Sequence, residues 1–169
     1  GVSIHHLTLT EAEIEDYRTF FKVKPPLRTE EDRLAIVDAV RTGLITTVSS
    51  MHTPQDEESK RLPFEEAASG AVGLETFLSA MLGLVAEGLL SLPDVFRAGA
   101  LAPAKRLGLP GGRLSVGAPA DLVLFVPDAK AVLDRAQLHS KSKNTPFDGR
   151  EMTGRVLGTW VRGQRVYGD

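Results

Sequence analysis

The sequence contains no cysteine, and this absence excludes disulfide bonds, thiolate metal sites and a cysteine nucleophile. Long hydrophobic runs are also missing, since no stretch approaches the ~20 apolar residues that a transmembrane helix needs. The formal net charge is -2, so neither sign is in the excess that would favour nucleic acid or an anionic membrane as a partner. A signal-peptide pattern is absent as well, and we expect a cytoplasmic location.

What is present is the composition of an ordinary globular protein. Of the 169 residues, 42% are hydrophobic and 25% are charged, which suffices for a domain with a substantial core. The chain begins with Gly1 rather than Met, inside a pattern typical of a strand. We therefore expect it to be a segment of a longer protein.

The chain divides by pattern into two modules, residues 1–110 and 111–169. The first alternates β-branched runs with helical patterns, and we predict parallel strands over residues 2–9 and 45–50, with helices after Thr29 and Ser91 and a charged loop over 56–66. The second module is turn-rich, with predicted strands over 121–126 and 131–133 and a hairpin around Arg162 and Gly163. This pattern predicts an α/β fold followed by a small β domain.

Residues 45–56 are the most informative stretch for function. A β-branched run passes into Pro54, Gln55 and Asp56, which predicts a strand that opens into a polar loop. In α/β barrels the carboxyl ends of the strands carry the chemistry. This strand end offers the thioether of Met51 and the imidazole of His52, with no carboxylate before Asp56.

Six phrases in order resemble the C-terminal part of a dihydroorotase, of the amidohydrolase superfamily. They are HHL at 5–7, KVKPPLR at 22–28, PFEEA at 63–67, GLET at 73–76, GRLSVGAPADLV at 112–123 and KSKNTPF at 141–147. The resemblance implies a (β/α)₈ TIM-type barrel with a small β domain. This chain would supply the last barrel strands and the C-terminal share of that domain, and we expect the missing N-terminal part of the same protein as its partner.

Dihydroorotases interconvert carbamoyl aspartate and dihydroorotate with zinc, and the resemblance implies a carboxylate at the end of the last barrel strand that binds metal and moves a proton. The family phrase there resembles Asp-His-x-Pro-His or Asp-His-x-Pro-Gln. Here Met51 stands at the aspartate position, ahead of His52, Pro54 and Gln55. A thioether is neutral and a poor zinc ligand, so we interpret Met51 as a core-packing side chain and expect no intact catalytic residue and no metal.

The family also places an asparagine before Pro-Pro-Leu-Arg to hold substrate, and here that position is Lys24. Lysine attracts a carboxylate but lacks the paired donor and acceptor of an amide. We predict that the substrate-binding residues are Lys24, Arg28, His52 and Gln55. For Arg28 the alternatives are a carboxylate clamp and a salt bridge at the helix start.

Other polar residues have simpler interpretations. His5 and His6 are neighbours, but adjacent strand residues point to opposite faces, and the pair does not match the family's metal ligands. Asp56, Glu57 and Glu58 are interpreted as exposed loop charges rather than a displaced catalytic carboxylate, and Glu65 and Glu66 likewise.

Two functions remain open at this point. The first is a dihydroorotase-like protein of de novo pyrimidine biosynthesis that has lost catalysis and acts as a structural partner of aspartate carbamoyltransferase, within an oligomer. The second is an active, zinc-dependent dihydroorotase, in which Asp56 or another carboxylate replaces the missing aspartate.

Overall fold

Two short parallel strands, β1 (Val2–Ser3) and β2 (Val48–Ser49), lie side by side in the computed structural model, which describes residues 1–168. The amide of Val2 donates to the carbonyl of Thr47 at 3.0 Å. The parallel pairing predicted from the sequence is therefore confirmed, although both strands are shorter than predicted. A further parallel bridge joins His52 to Ala71, just beyond the end of β2.

The predicted strand over residues 2–9 is wrong beyond Ser3. Residues Ile4–Thr8 form a short helix, α1, and the hydroxyl of Ser3 caps it by accepting from the amide of His5 at 3.2 Å. Helical geometry buries Ile4 and Leu7 together, since residues three apart lie on one helix face. The Ser3 cap and the spacing of the buried residues favour a helix more strongly than the β-branched composition favours a strand.

Two helices begin at the capping residues predicted from the sequence, Thr29 and Ser91. Thr29 accepts from the amide of Asp32 at the start of α2 (Glu30–Arg41), in the connection between β1 and β2. Ser91 and Asp94 form a capping box at the start of a later helix, Leu92–Phe96. None of the helices within residues 1–168 combines the length and apolarity needed to cross a bilayer.

The charged loop predicted over residues 56–66 contains a helix, α3 (Glu57–Arg61). Asp56 caps it, because its Oδ1 accepts from the amide of Ser59 at 2.7 Å. Glu57 and Arg61 then form an ion pair at 2.7 Å, one turn apart. The remaining helices are α4 (Phe77–Ala86), α5 (Leu92–Phe96), a π-helical turn (Arg97–Leu101) and α6 (Ala102–Leu107). Single turns of 3₁₀ helix lie at Glu11–Ile14, Thr19–Phe21 and Arg135–Gln137.

The C-terminal residues form an antiparallel sheet of β3 (Leu122–Val132), β4 (Glu151–Val161) and β5 (Gln164–Tyr167). The two strands predicted over 121–126 and 131–133 are one strand with an irregular middle, where the register shifts between Val126 and Lys130. Pro127 lies in that interval and has no amide hydrogen to donate. The predicted hairpin turn is confirmed, with positive φ values at Arg162 and Gly163.

A single hydrophobic core joins the two modules. Its fully buried side chains include Ile4, Leu7, Phe21 and Met81 from the first module, and Phe147 from the second packs among them. The hydroxyl of Ser79 on α4 also donates to the carbonyl of Gly154 on β4 at 3.3 Å. The C-terminal sheet therefore packs directly on the helices that follow β2.

Candidate functional site

The carboxyl ends of β1 and β2 border a cavity of about 450 Å³, which we call the strand-end opening. A narrow recess adjoins it and shares Ser3, His6 and Met51 with it, and the recess is also bordered by Lys24. The residues lining the opening are Gly1, Val2, Ser3, His6, Pro25, Pro26, Arg28, Ile36, Ser49 and Met51. This is the edge of the sheet at which the sequence predicted the chemistry to lie.

Met51 is not a core residue, so that interpretation of the sequence is wrong. Its side chain is 47% exposed, and it borders both the opening and the recess. Its φ of 42° lies in the left-handed region, where a side chain with a Cβ is disfavoured. At this residue the chain leaves β2 and turns towards the loop, so Met51 borders the opening rather than the core formed by the described residues.

Lys24, His6 and Arg28 form the rim beside Met51. His6 Nε2 lies 2.9 Å from the carbonyl oxygen of Pro25, and because a carbonyl only accepts, the imidazole donates there. Arg28 forms a salt bridge with Asp32 through Nε at 3.5 Å, and both side chains are largely exposed. Both alternatives for Arg28 therefore stay compatible with the geometry, because the guanidinium pairs at the helix start and also lines the opening.

His52 and Gln55 lie apart from the strand-end opening, in a network that we call the loop anchor. Its members are His52, Gln55, Ser69, Gly70, Gly73 and Asn144. Nδ1 of His52 accepts from the amides of Gly73 at 3.3 Å and Leu74 at 3.4 Å. The side-chain amide of Gln55 donates to the carbonyl of Ser69 at 3.1 Å. These bonds hold the loop in place and direct neither side chain into the opening.

Asn144 is the member of the loop anchor that the sequence reasoning missed. It is 3% exposed, and its Nδ2 donates to the carbonyls of Gly70 at 3.1 Å and Thr53 at 3.4 Å. Its Oδ1 accepts from the amide of Gln55 at 3.3 Å. One side chain from the second module thus joins the two segments that end at the site. The phrase KSKNTPF was the available signal, but it carried no indication of the partners.

His5 lies behind the opening as a buried residue. Its ring stacks on Phe147 at 6.0 Å between centroids, and Ser3 Oγ lies 3.2 Å from its Nδ1. Burial lowers the pKa of His5 from 6.5 to about 4, opposed by the Val72 backbone and assisted by the nearby His6. His5 is therefore neutral at pH 7.

No carboxylate among residues 1–168 lines the opening or the recess. Asp56 caps α3 and borders a different cavity, and hydrogen bonds from the Ser59 backbone keep its pKa below the usual range. The described residues also contain no group of three or more His, Asp or Glu side chains arranged to hold a metal ion.

The donor set at the strand end does not fit zinc. Met51 supplies a neutral thioether, and the Nδ1 of His52 is already occupied by two backbone amides. The Nε2 of His6 is bound to the Pro25 carbonyl. What the arrangement can do chemically is attract a carboxylate through Lys24 and Arg28, without a carboxylate of the described residues in reach to accept a proton.

Comparison with known proteins places these features in a family context. The profile of the amidohydrolase family matches residues 64–167. A dihydroorotase of Wolbachia sp. subsp. Drosophila simulans is 43% identical over 166 residues, which is 98% of this chain and 38% of that protein. A dihydroorotase of Anaeromyxobacter dehalogenans is 41% identical over 168 residues, 98% of this chain and 39% of that protein. The chain thus spans less than two fifths of these relatives.

The backbone of this chain also superimposes on solved structures of hydantoinases. The L-hydantoinase (dihydropyrimidinase) of Arthrobacter aurescens superimposes with a TM-score of 0.93 at 34% identity, over 98% of this chain and 38% of that one. The D-hydantoinase (dihydropyrimidinase) of Thermus sp. gives a TM-score of 0.90 at 28% identity, over 99% and 38% of the two chains.

Proposed function

Because the chain belongs to the amidohydrolase family, among its dihydroorotases, we propose that it forms part of a dihydroorotase-like protein of pyrimidine biosynthesis whose own catalysis has been lost. In this proposal the chain supplies the last strands of a (β/α)₈ barrel and the C-terminal share of a small β domain. The first barrel strands come from a segment outside residues 1–169.

The observation that carries the proposal is the side chain at the end of β2. Met51 faces the strand-end opening at the position where the family resemblance implies a carboxylate. General acid–base catalysis by one positioned group contributes about 10²–10⁴-fold to a rate, and a thioether cannot perform it. Lys24 borders the same recess in place of the substrate-holding asparagine, so two positions of one site have changed their chemistry.

The intact loop anchor supports a second candidate, an active zinc-dependent dihydroorotase. Asn144 and His52 hold the loop after β2 through several hydrogen bonds, and the relatives at 43% and 41% identity carry the name dihydroorotase. This function requires a carboxylate in the opening that belongs to a segment outside the described residues. Asp56 does not supply it, because its side chain caps α3.

The family resemblance, rather than any surface of this chain, is the basis for proposing a structural role with aspartate carbamoyltransferase. Some degenerate dihydroorotase homologues serve as scaffolds for that enzyme. Mixing the two purified proteins and measuring the mass of the complex by light scattering tests the proposal. A stable hetero-oligomer is expected, whereas two unchanged separate species would contradict the partnership.

The proposed loss of catalysis is tested on the full-length protein that contains this chain. Metal content and dihydroorotate hydrolysis are measured beside the Wolbachia dihydroorotase as an active control. We expect turnover about 10²–10⁴-fold below the control, with zinc added in excess. Stoichiometric zinc together with turnover comparable to the control would overturn the proposal and favour the second candidate.

A further inference from the structure

A second cavity, of about 430 Å³, lies between the loop after β2, helix α3 and the segment 135–144. It shares no lining residue with the strand-end opening. Its lining residues are Phe20, Gln55, Asp56, Glu57, Lys60, Arg135, Ala136, Lys141, Ser142, Lys143 and Asn144. The volume falls in the range of small-molecule sites, about 300–1,000 Å³, and exceeds what a bare ion needs.

Positive charge dominates this cavity. Its lining carries four cationic side chains and two carboxylates. Both carboxylates belong to the start of α3 and have partners there: Asp56 accepts from the amide of Ser59, and Glu57 pairs with Arg61, each at 2.7 Å. The lining residues therefore carry a formal excess of two positive charges, from the cations Lys60, Arg135, Lys141 and Lys143.

Lys60 is the most unusual of the four cations, because it is only 2% exposed. Its ammonium donates to the carbonyl of Thr19 at 2.9 Å, and no carboxylate among residues 1–168 lies within salt-bridge distance of it. An ammonium has three donors, so its hydrogen-bonding capacity is not exhausted. A buried charge without a counter-charge is unfavourable, and an anion in the cavity would relieve that cost.

The other cations are held near the cavity by contacts that leave donors available. The guanidinium of Arg135 lies 5.4 Å from the centroid of the Phe20 ring, and its Nε is 3.3 Å from Asp148. Lys143 donates to the carbonyl of Leu138, while Lys141 is exposed at the rim. N–H donors thus line the cavity both at an exposed residue of its rim, Lys141, and at a buried residue, Lys60, which we call its floor.

We propose that this cavity binds a small anion that carries at least two negative charges, on phosphate or carboxylate groups. Both groups accept hydrogen bonds from ammonium and guanidinium donors. The site goes beyond the proposed function, since it uses neither Met51 nor Lys24. It also adjoins the loop anchor through Gln55 and Asn144, so an occupant would stabilise the loop that follows β2.

Calorimetric titration of the full-length protein at low ionic strength tests the proposal, with pyrophosphate and citrate as probes. We expect saturable binding of at least one probe, weakened by added salt, with chloride at equal ionic strength producing no saturable signal. Binding of pyrophosphate alone would assign a phosphate ligand, and binding of citrate alone a carboxylate ligand. Failure of both probes to bind more tightly than chloride would overturn the proposal.

Charge-removing variants locate the binding in this cavity. Lys141→Gln at the exposed rim is expected to weaken binding about tenfold, because it removes one charge-assisted hydrogen bond. Lys105→Gln, at an exposed position on α6, is the matched control and should bind as the parent does. Lys60→Met removes the buried ammonium and is also expected to weaken binding of the probe. Circular dichroism confirms that this variant is folded. Equal affinity in Lys141→Gln and the parent would contradict the assignment, whether or not the full-length protein is catalytically active.

Discussion

The strand-end opening and the loop anchor adjoin each other at residues 51–55, yet they differ in how their polar groups are satisfied. In the loop anchor, His52, Gln55 and Asn144 each form hydrogen bonds to backbone groups of other segments. In the opening, Met51 is half-exposed with a positive φ, and no carboxylate of residues 1–168 faces the cavity. The polar side chains of the loop anchor thus have hydrogen-bond partners, whereas the opening is lined by no carboxylate of the described residues.

This difference separates two requirements that an active site normally combines. Hydrogen bonds between segments place a loop, and the placement contributes to stability whether or not a reaction follows. Proton transfer needs a titratable group at one position, which is a separate requirement from the placement of the loop. A chain can therefore keep the fold of its family without the family's activity. The following predictions test this separation, in order of decreasing effect on stability.

Removing the side chain of Asn144 should cause the largest loss of stability. Asn144→Ala leaves three backbone groups without their partner: the carbonyl of Gly70 in a buried position, and the carbonyl of Thr53 and the amide of Gln55 in part-buried ones. We expect the free energy of unfolding to fall by about 3 kcal/mol, measured by urea denaturation. The matched control is Met51→Ala, which should change stability by less than about 0.5 kcal/mol. Equal losses of stability from the two substitutions would contradict the proposed difference between the loop anchor and the strand-end opening.

Acid should destabilise the protein through His5. Its pKa in the folded protein is about 4, below the ordinary value of 6.5, so the unfolded chain binds the proton more readily. The stability contributed by neutral His5 is complete above pH 6.5 and is lost as the pH falls towards 4, by about 2–3 kcal/mol at pH 4.5.

Chemical denaturation at pH 7 and pH 4.5 measures this loss, with His5→Gln as the variant that does not titrate. The parent should lose about 2 kcal/mol more than the variant over that interval. If parent and variant lose the same amount, His5 does not titrate as its burial implies.

Met51→Gly should give the smallest effect, and in the opposite direction. Glycine tolerates the φ of 42° that Met51 adopts, while the exposed thioether contributes little packing. A gain of about 0.5 kcal/mol in the free energy of unfolding is expected, with Met51→Ala as the control that keeps the Cβ. A loss above about 1 kcal/mol would indicate that Met51 packs within the fold after all.

Local signals in the sequence predicted much of the fold but little of the site. Thr29 and Ser91 each cap a helix within three residues, and Arg162 with Gly163 forms a tight turn, so short stretches determined these elements. The strand predicted over residues 2–9 failed because the cap at Ser3 competes with β-branched composition. Asn144 could not be assigned a role, since its partner Gln55 is 89 residues away in the chain. The exposure of Met51 likewise depends on how separate segments pack.

Residues 51 and 24 are the positions at which we propose that catalysis was lost. Dihydroorotate hydrolysis, with and without zinc, by the full-length parent, Met51→Asp, Lys24→Asn and the double variant tests this proposal most directly. We predict a parent with turnover about 10²–10⁴-fold below an active dihydroorotase. We also predict metal binding in Met51→Asp, and a gain from Lys24→Asn that is at least about tenfold larger in the Met51→Asp background, because residues of one catalytic unit are not additive. A parent as active as the double variant would contradict the account.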